Sequence, residues 1–157
     1  MSEFAIRRAG PDDAATLAAL YLAARRTHLP FAPLAHRDEE VRQWIAAQLI
    51  PAGRSWLIEA EPGRPLGLLS DSVDAAGMGW IDQLYLDPAR VGRGLGRALL
   101  LHALQRLPRP LRLYTFQANM GARRFYERHG FVVLREGDGA DNEERCPDLL
   151  MELGGDA

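Results

Sequence analysis

The stretch that most restricts what this chain can fold into is LYLDPARVGRGLGRALL, residues 84–100. An apolar, strand-like run ends at Asp87-Pro88. Gly92, Gly94 and Gly96 then alternate with Arg93 and Leu95, and good helix formers follow. A strand that passes through glycines straight into a helix leaves the first helical N–H groups without internal partners. With the helix dipole these groups form an anion site, and glycines let a phosphate approach the backbone closely. The stretch predicts a cradle for a phosphate or pyrophosphate; the alternative is a tight turn that the glycines merely shape.

Two familiar phosphate loops fail on residue identity. All 19 basic residues are arginine, so the lysine of G-x-x-x-x-G-K-[ST] is missing, as is any lysine for a Schiff base. A G-x-G-x-x-G fingerprint counted from Gly92 needs a third glycine where Arg97 stands, and Phe116 ends the following strand where an acid is expected. ATP- and NAD-binding readings therefore lose. A formal net charge of −2 gives no global reason to expect nucleic acid or a membrane surface as partner. Cys146, the single cysteine, excludes an internal disulfide framework and leaves too little thiol for a cysteine metal site, so no metal is expected. The opening MSEFAIRRAG lacks the pattern of a signal peptide. No run approaches the ~18 apolar residues of a spanning helix. A cytoplasmic protein is expected.

The chain carries neither an internal repeat nor a low-complexity linker, and residues 1–157 read as one domain. A short strand at 3–8 precedes a helix that opens on Pro11, Asp12 and Asp13 and runs to about Arg26. Two prolines break it, and a second helix covers 37–49, with Val41, Trp44, Ile45 and Gln48 at helical spacing. Strands follow at 55–61, 65–72 and 79–86, separated by turn signals at 62–64 and 74–77. Then come a helix from Gly94 to Leu107, a strand at 111–116, a helix over 119–130 and strands at 131–136 and 148–153. The order β-α-α-β-β-β-α-β-α-β-β predicts a mixed α/β domain, antiparallel in its middle and with helix crossovers later.

At this point the chain resembles the GNAT superfamily of N-acetyltransferases, which bind acetyl-CoA. The family's central motif is an apolar strand, often with Asp-Pro after it, then [Q/R]-x-x-G-x-[G/A] opening a helix. IDQLYLDPAR here leads into Val91-Gly92-Arg93-Gly94-Leu95-Gly96. A second motif, N-x-x-A-x-x-[F/L]-Y-E-x-x-G-F, is matched by Asn119, Ala122, Phe125, Tyr126, Glu127, Gly130 and Phe131 at the expected distance. The order of elements is similar to the family's throughout. One departure is Val91 in the place of the family's Gln or Arg, with Arg90 one position early. Backbone donors survive that loss, and Arg93 and Arg97 stand where they could add charge.

The resemblance implies N-acetyl transfer directly from acetyl-CoA to a primary amine, with no metal. It places the pantetheine arm along Leu84, Tyr85 and Leu86, in a gap opened towards the strand at 111–116. Tyr126 becomes the general acid for the thiolate, since an unperturbed tyrosine keeps its proton at neutral pH. Asn119 would cap its helix and meet the cofactor; capping alone also explains it. Asp82 is a candidate base, acting through water; a surface-facing aspartate is the alternative. Glu59, His28 and His36 are further candidates, while His102 and His129 read as structural. Direct transfer gives Cys146 no nucleophilic task.

The acceptor reads as a small-molecule or peptide amine. The loop 137–146 carries Asp138, Asp141, Glu143 and Glu144 against one arginine, a charge that favours a cationic amine; a solvated hairpin loop is the plainer reading. Phe31, Trp44 and three consecutive acids in the segment 27–44 suit a partly apolar amine. A monomer or a homodimer fits this scheme. The rival reading is a non-catalytic acyl-CoA-binding regulatory module, favoured by Val91 and opposed by Tyr126. Thermal unfolding with acetyl-CoA, CoA, ATP and NAD in parallel tests the glycine loop. Acetyl-CoA and CoA at ~100 times their dissociation constants add about 2.7 kcal/mol to the folded state, and ATP and NAD leave the melting temperature unmoved.

Overall fold

Neighbouring residues in the strands part to opposite faces of one sheet. Leu57 and Leu68 pack into a cluster with Leu17, Tyr21 and Val41, while Ile58 and Leu69 pack with Leu99, Leu100 and Tyr126. The computed structural model describes residues 3–155. Met1, Ser2, Asp156 and Ala157 lie outside the described residues, and with them both ends of the expected 1–157 domain and the start of the opening segment.

The elements are β1 (Ala5–Arg8), α1 (Ala14–His28), α2 (Asp38–Trp44), β2 (Ser55–Glu59), β3 (Pro65–Val73) and β4 (Gly79–Leu86). After them come α3 (Leu95–Arg106), β5 (Leu111–Phe116), α4 (Met120–Arg128), β6 (Val132–Gly137) and β7 (Asp148–Leu153). Their order is the expected one. The second helix departs from the expectation in its last turns, which widen to a π-helical turn over Ile45–Leu49. All seven strands form one sheet in the order β1-β2-β3-β4-β5-β7-β6. Among the described residues only β4 and β5 are parallel, joined by α3 as a crossover; the other pairs are antiparallel. β7 slips between β5 and β6, so the crossover through α4 does not bring those two strands together. The first cluster seats α1 and α2 on one face, and the second seats α3 and α4 on the other. Among the described residues no helix is long and apolar enough to cross a membrane.

Polar contacts fix the N-terminal edge. Arg7 on β1 bonds Asp13 through Nη1 and Nη2 at 2.9 and 2.8 Å, and Glu59 on β2 through Nε at 2.8 Å. Asp13 also accepts from the Gly10 N–H at 2.8 Å, so it ties β1 to the start of α1 as well as facing the helix dipole. Glu59 accepts from the Gly63 N–H at 3.0 Å. Both carboxylates are spent on structure, which removes Glu59 from the candidates for a base. Arg7 holds both carboxyls below their usual range. Groups whose folded pKa is depressed stabilise above the unfolded value, and that contribution disappears as pH falls through the folded value. Melting temperature measured from pH 7 down to pH 3 therefore declines more gently in Glu59→Gln than in the parent, because the variant has one carboxylate fewer to protonate.

Candidate active site

The site begins where β4 leaves β5. The two strands pair only from Gly79 opposite Leu111 to Ile81 opposite Leu113. Beyond that point β5 stays paired with β7 as far as Phe116, and the edge of β4 facing β5 runs free from Asp82 to Leu86. The cause lies on the other side of β4. Ser70 pairs with Gln83 and Asp71 with Ile81, so Asp82 is the extra residue of a bulge, and a bulge bends its strand. Asp71 is pinned there by Arg54 at 3.0 Å and by Arg106. Gly79 fixes the closed end: a Cβ on it would lie 2.7 Å from the carbonyl oxygen of Pro108.

The fork opens a cleft of about 960 Å³ that brings together Asp82, Leu84, Tyr85, Asn119 and Tyr126. Leu86 contributes backbone rather than side chain, since its methyls pack inward near Gly67 and Gly96. Tyr126 is 7% exposed, and its hydroxyl, on the cleft wall, has no hydrogen-bond partner among the described residues. Burial raises its pKa well above the ordinary value, so the proton stays on. Asn119 caps α4, its Oδ1 accepting from the Ala122 N–H at 3.3 Å. Asp82 is open to solvent on one side, yet the protein crowded behind it pushes its carboxyl up, an effect tempered by the nearby Ser72 hydroxyl.

Val91, Gly92, Arg93, Gly94, Leu95, Gly96 and Arg97 stand outside the cleft proper, beyond the C-terminal end of β4. Gly92 and Gly94 have φ of 81° and 77°, a region that side chains resist, and Gly94 is the residue from which α3 starts. A Cβ on either would meet nothing within 4 Å, so these glycines serve the backbone turn and leave open space above it. Gly96 differs. It is a helical residue packed on Phe125 of α4, where a Cβ would lie 3.5 Å from the ring. The first N–H groups of α3 have no acceptor among the described residues. Arg90, Arg93 and Arg97 are exposed and have no acidic partner among the described residues. A pyrophosphate therefore fits: bare backbone donors, two positive-φ glycines, unpaired arginines and a free strand edge for an extended arm.

The wall of the cleft beside Tyr85 is held by a tie the sequence did not disclose. Arg25 of α1, 5% exposed, reaches Glu144 at 3.3 Å, the Ala32 carbonyl at 3.1 Å and the Tyr85 hydroxyl at 3.4 Å. His36 meets Glu143 at 3.0 Å, and the Cys146 thiol donates to the Phe31 carbonyl at 3.3 Å. These contacts latch the segment between α1 and α2 onto the loop between β6 and β7, and Gly137, Asp138, Asp141 and Glu144 of that region line the cleft. Its position is thus more than that of a solvated hairpin. One sequence signal for Arg25 existed: Leu17, Tyr21 and Arg25 repeat every four residues along the buried stripe of α1. His28 and His36 do not line the cleft. His129 bonds the Phe125 carbonyl at 2.8 Å, and His102 packs on Trp56 with ring centroids 4.6 Å apart, so both are structural. Among the described residues no group of three or more His, Cys, Asp or Glu is placed to hold a metal ion.

A sheet parted at its parallel pair, with an unpartnered helix N-terminus beyond the fork, sets a free strand edge beside an anion cradle. The sequence model of the acetyltransferase (GNAT) family matches residues 18–131, and the chain belongs to that family. YjaB from Escherichia coli, solved in its apo form, is 24% identical, with a TM-score of 0.77 over 99% of this chain and 100% of that one. PaiA N-acetyltransferase from Thermoplasma acidophilum, solved with coenzyme A, is 20% identical, with a TM-score of 0.74 over 99% and 100%. An acetyltransferase from Thermus thermophilus is 18% identical, with a TM-score of 0.77 over 97% of each chain. The chain has no significant match among curated proteins. Family membership supports acetyl-CoA-dependent acetyl transfer to an amine as the general activity. Replacing Gly94 by Ala forces a side chain into the left-handed region, at about 1–2 kcal/mol. Denaturant melts of that variant are expected to show this loss, and calorimetry a weakened affinity for CoA.

Proposed function

We propose that this protein transfers the acetyl group of acetyl-CoA directly to a primary amine, with Tyr126 as general acid and Asp82 as the base that receives the amine proton. The observation that carries the reading is the unpartnered Tyr126 hydroxyl, held inside the fork that also contains Asp82. Acetyl-CoA, when bound, supplies an activated thioester carbonyl. The N–H groups of Gly92 to Arg97, with Arg93 and Arg97 beside them, hold the pyrophosphate. The free edge of Leu84, Tyr85 and Leu86 pairs with the extended arm, as an open strand edge does with any peptide-like chain. An N–H on that edge polarises the thioester oxygen as charge gathers there.

The remaining steps belong to side chains. Tyr126 keeps its proton through neutral pH and directs it at the departing sulfur, so no free thiolate is expelled beside the carboxylates of the cleft. Asp82 lies on the bulge, wet on one side, where water carries the amine proton to its carboxylate. Phe125 and Ala122 pack the helix that aims Tyr126. Asn119 holds the start of that helix and contributes to the cofactor wall. The cytoplasm, where Cys146 stays a thiol, is the expected setting.

Thiol release from acetyl-CoA with a panel of primary amines tests the reading. Tyr126→Phe keeps the ring and removes the proton, so kcat falls by about 10²–10⁴-fold while CoA affinity is retained. The parent loses kcat/KM as pH drops through the raised pKa of Asp82, since the base is then protonated. Asp82→Asn lowers the rate and removes that part of the acid limb. Tight CoA binding with no thiol released for any amine would instead favour the regulatory module.

A further inference from the structure

β6 is the last strand of the sheet, paired with β7 on one side and, among the described residues, with nothing on the other. Its outward N–H and C=O groups are a ready template for another strand. The opposite edge, β1, is four residues long and half arginine, which blunts it. β6 opens instead on Val132, Val133 and Leu134, which are 57%, 40% and 45% exposed. Other exposed apolar residues, such as Val73, Val91 and Leu101, stand singly in the chain, as on any surface. Three in a row on a bare edge are a different matter, because such an edge invites a partner that buries them.

Charge points to what that partner is. Glu136 pairs with Leu149, a core residue on the face where α3 and α4 lie, so its carboxylate is on that face. Arg128 ends α4 on the same face. Both side chains are exposed, and neither has an ionic partner among the described residues. They cannot meet within one chain, because β6 carries Glu136 four residues, roughly 13 Å, beyond Val132 and away from the end of α4. A second copy turned about a two-fold axis at Val133 does bring them together. Antiparallel pairing in that register sets Val132 against Leu134 of the second copy. It sets Glu136 against Gly130 of the second copy, just past the helix end that carries Arg128.

We infer that this protein forms a two-fold homodimer through β6, the two strands pairing antiparallel about Val133 so that two seven-stranded sheets become one. The apolar triplets bury one another, and Glu136 of each copy meets Arg128 of the other. Leu134 is the extra residue of a bulge, since Val133 pairs with Met151 and Arg135 with Leu150. The bulge bends the edge and keeps the ladder short, so the two ion pairs fix its register. A contact of this isologous kind uses up both free β6 edges and closes at two copies.

Sedimentation velocity of the full chain from about 1 to about 200 µM, a range that brackets micromolar association, tests this. A species of twice 17.4 kDa is expected at the upper end. Val133→Lys sets like charges face to face at the axis and is expected to weaken the dimer at least about 100-fold. Far-UV circular dichroism of that variant checks that the monomer still folds. Glu136→Arg and Arg128→Glu, both at exposed positions, each weaken the dimer about tenfold, and the two combined restore it. A monomer at every concentration overturns the inference. So does a dimer that Val133→Lys leaves intact, or one in which the combined charge reversal is no tighter than either single variant.

Discussion

Most of the architecture follows from how little of β4 and β5 is paired. Three residue pairs join them, from Gly79 to Ile81 and from Leu111 to Leu113, and the strands then diverge. A buried backbone group without a partner costs about 1–3 kcal/mol, so the parted edge is tolerable only where water or another chain can reach it. The cleft provides that access. The bulge at Asp82, the fixing of Asp71 by two arginines and the close approach at Gly79 all hold the opening at one point along the sheet. Tyr126 enters this opening from α4, packed on the same core that supports β5 and β7.

Charge is also divided across the splayed strands. The bare start of α3 and the arginines at 90, 93 and 97 make the β4 side positive, while the carboxylates of the β6–β7 region make the β7 side negative. A formal net charge of −2 conceals this division entirely.

The elements were legible because each rests on local pattern: alternating apolar residues for the strands, a four-residue stripe for the helices, glycine and proline at the breaks. The glycine loop and the Asn119–Phe131 segment were legible for the same reason. The fork was not. Residues 79–86 read as one even strand, and nothing in their composition marks Asp82 as an extra residue, because a bulge is defined by the partner strand. Glu59 looked like a free carboxylate until Arg7, 52 positions away, was seen to bind it. Arg25 and Glu144 are 119 positions apart, so only the fold could join them. Gly96 sat in the right motif, but its place against Phe125 gives it a packing role rather than a turning one.

The cradle at the head of α3 is made of main chain, and its turn asks for glycine at only two places. The turn itself asks nothing of the side chain at Val91, which is exposed. A binding site written in backbone amides can persist while the letters around it drift. The fold is shared at TM-scores of 0.74 to 0.77 with proteins only 18% to 24% identical to this one. For a chain of this kind, shape is inherited more durably than spelling.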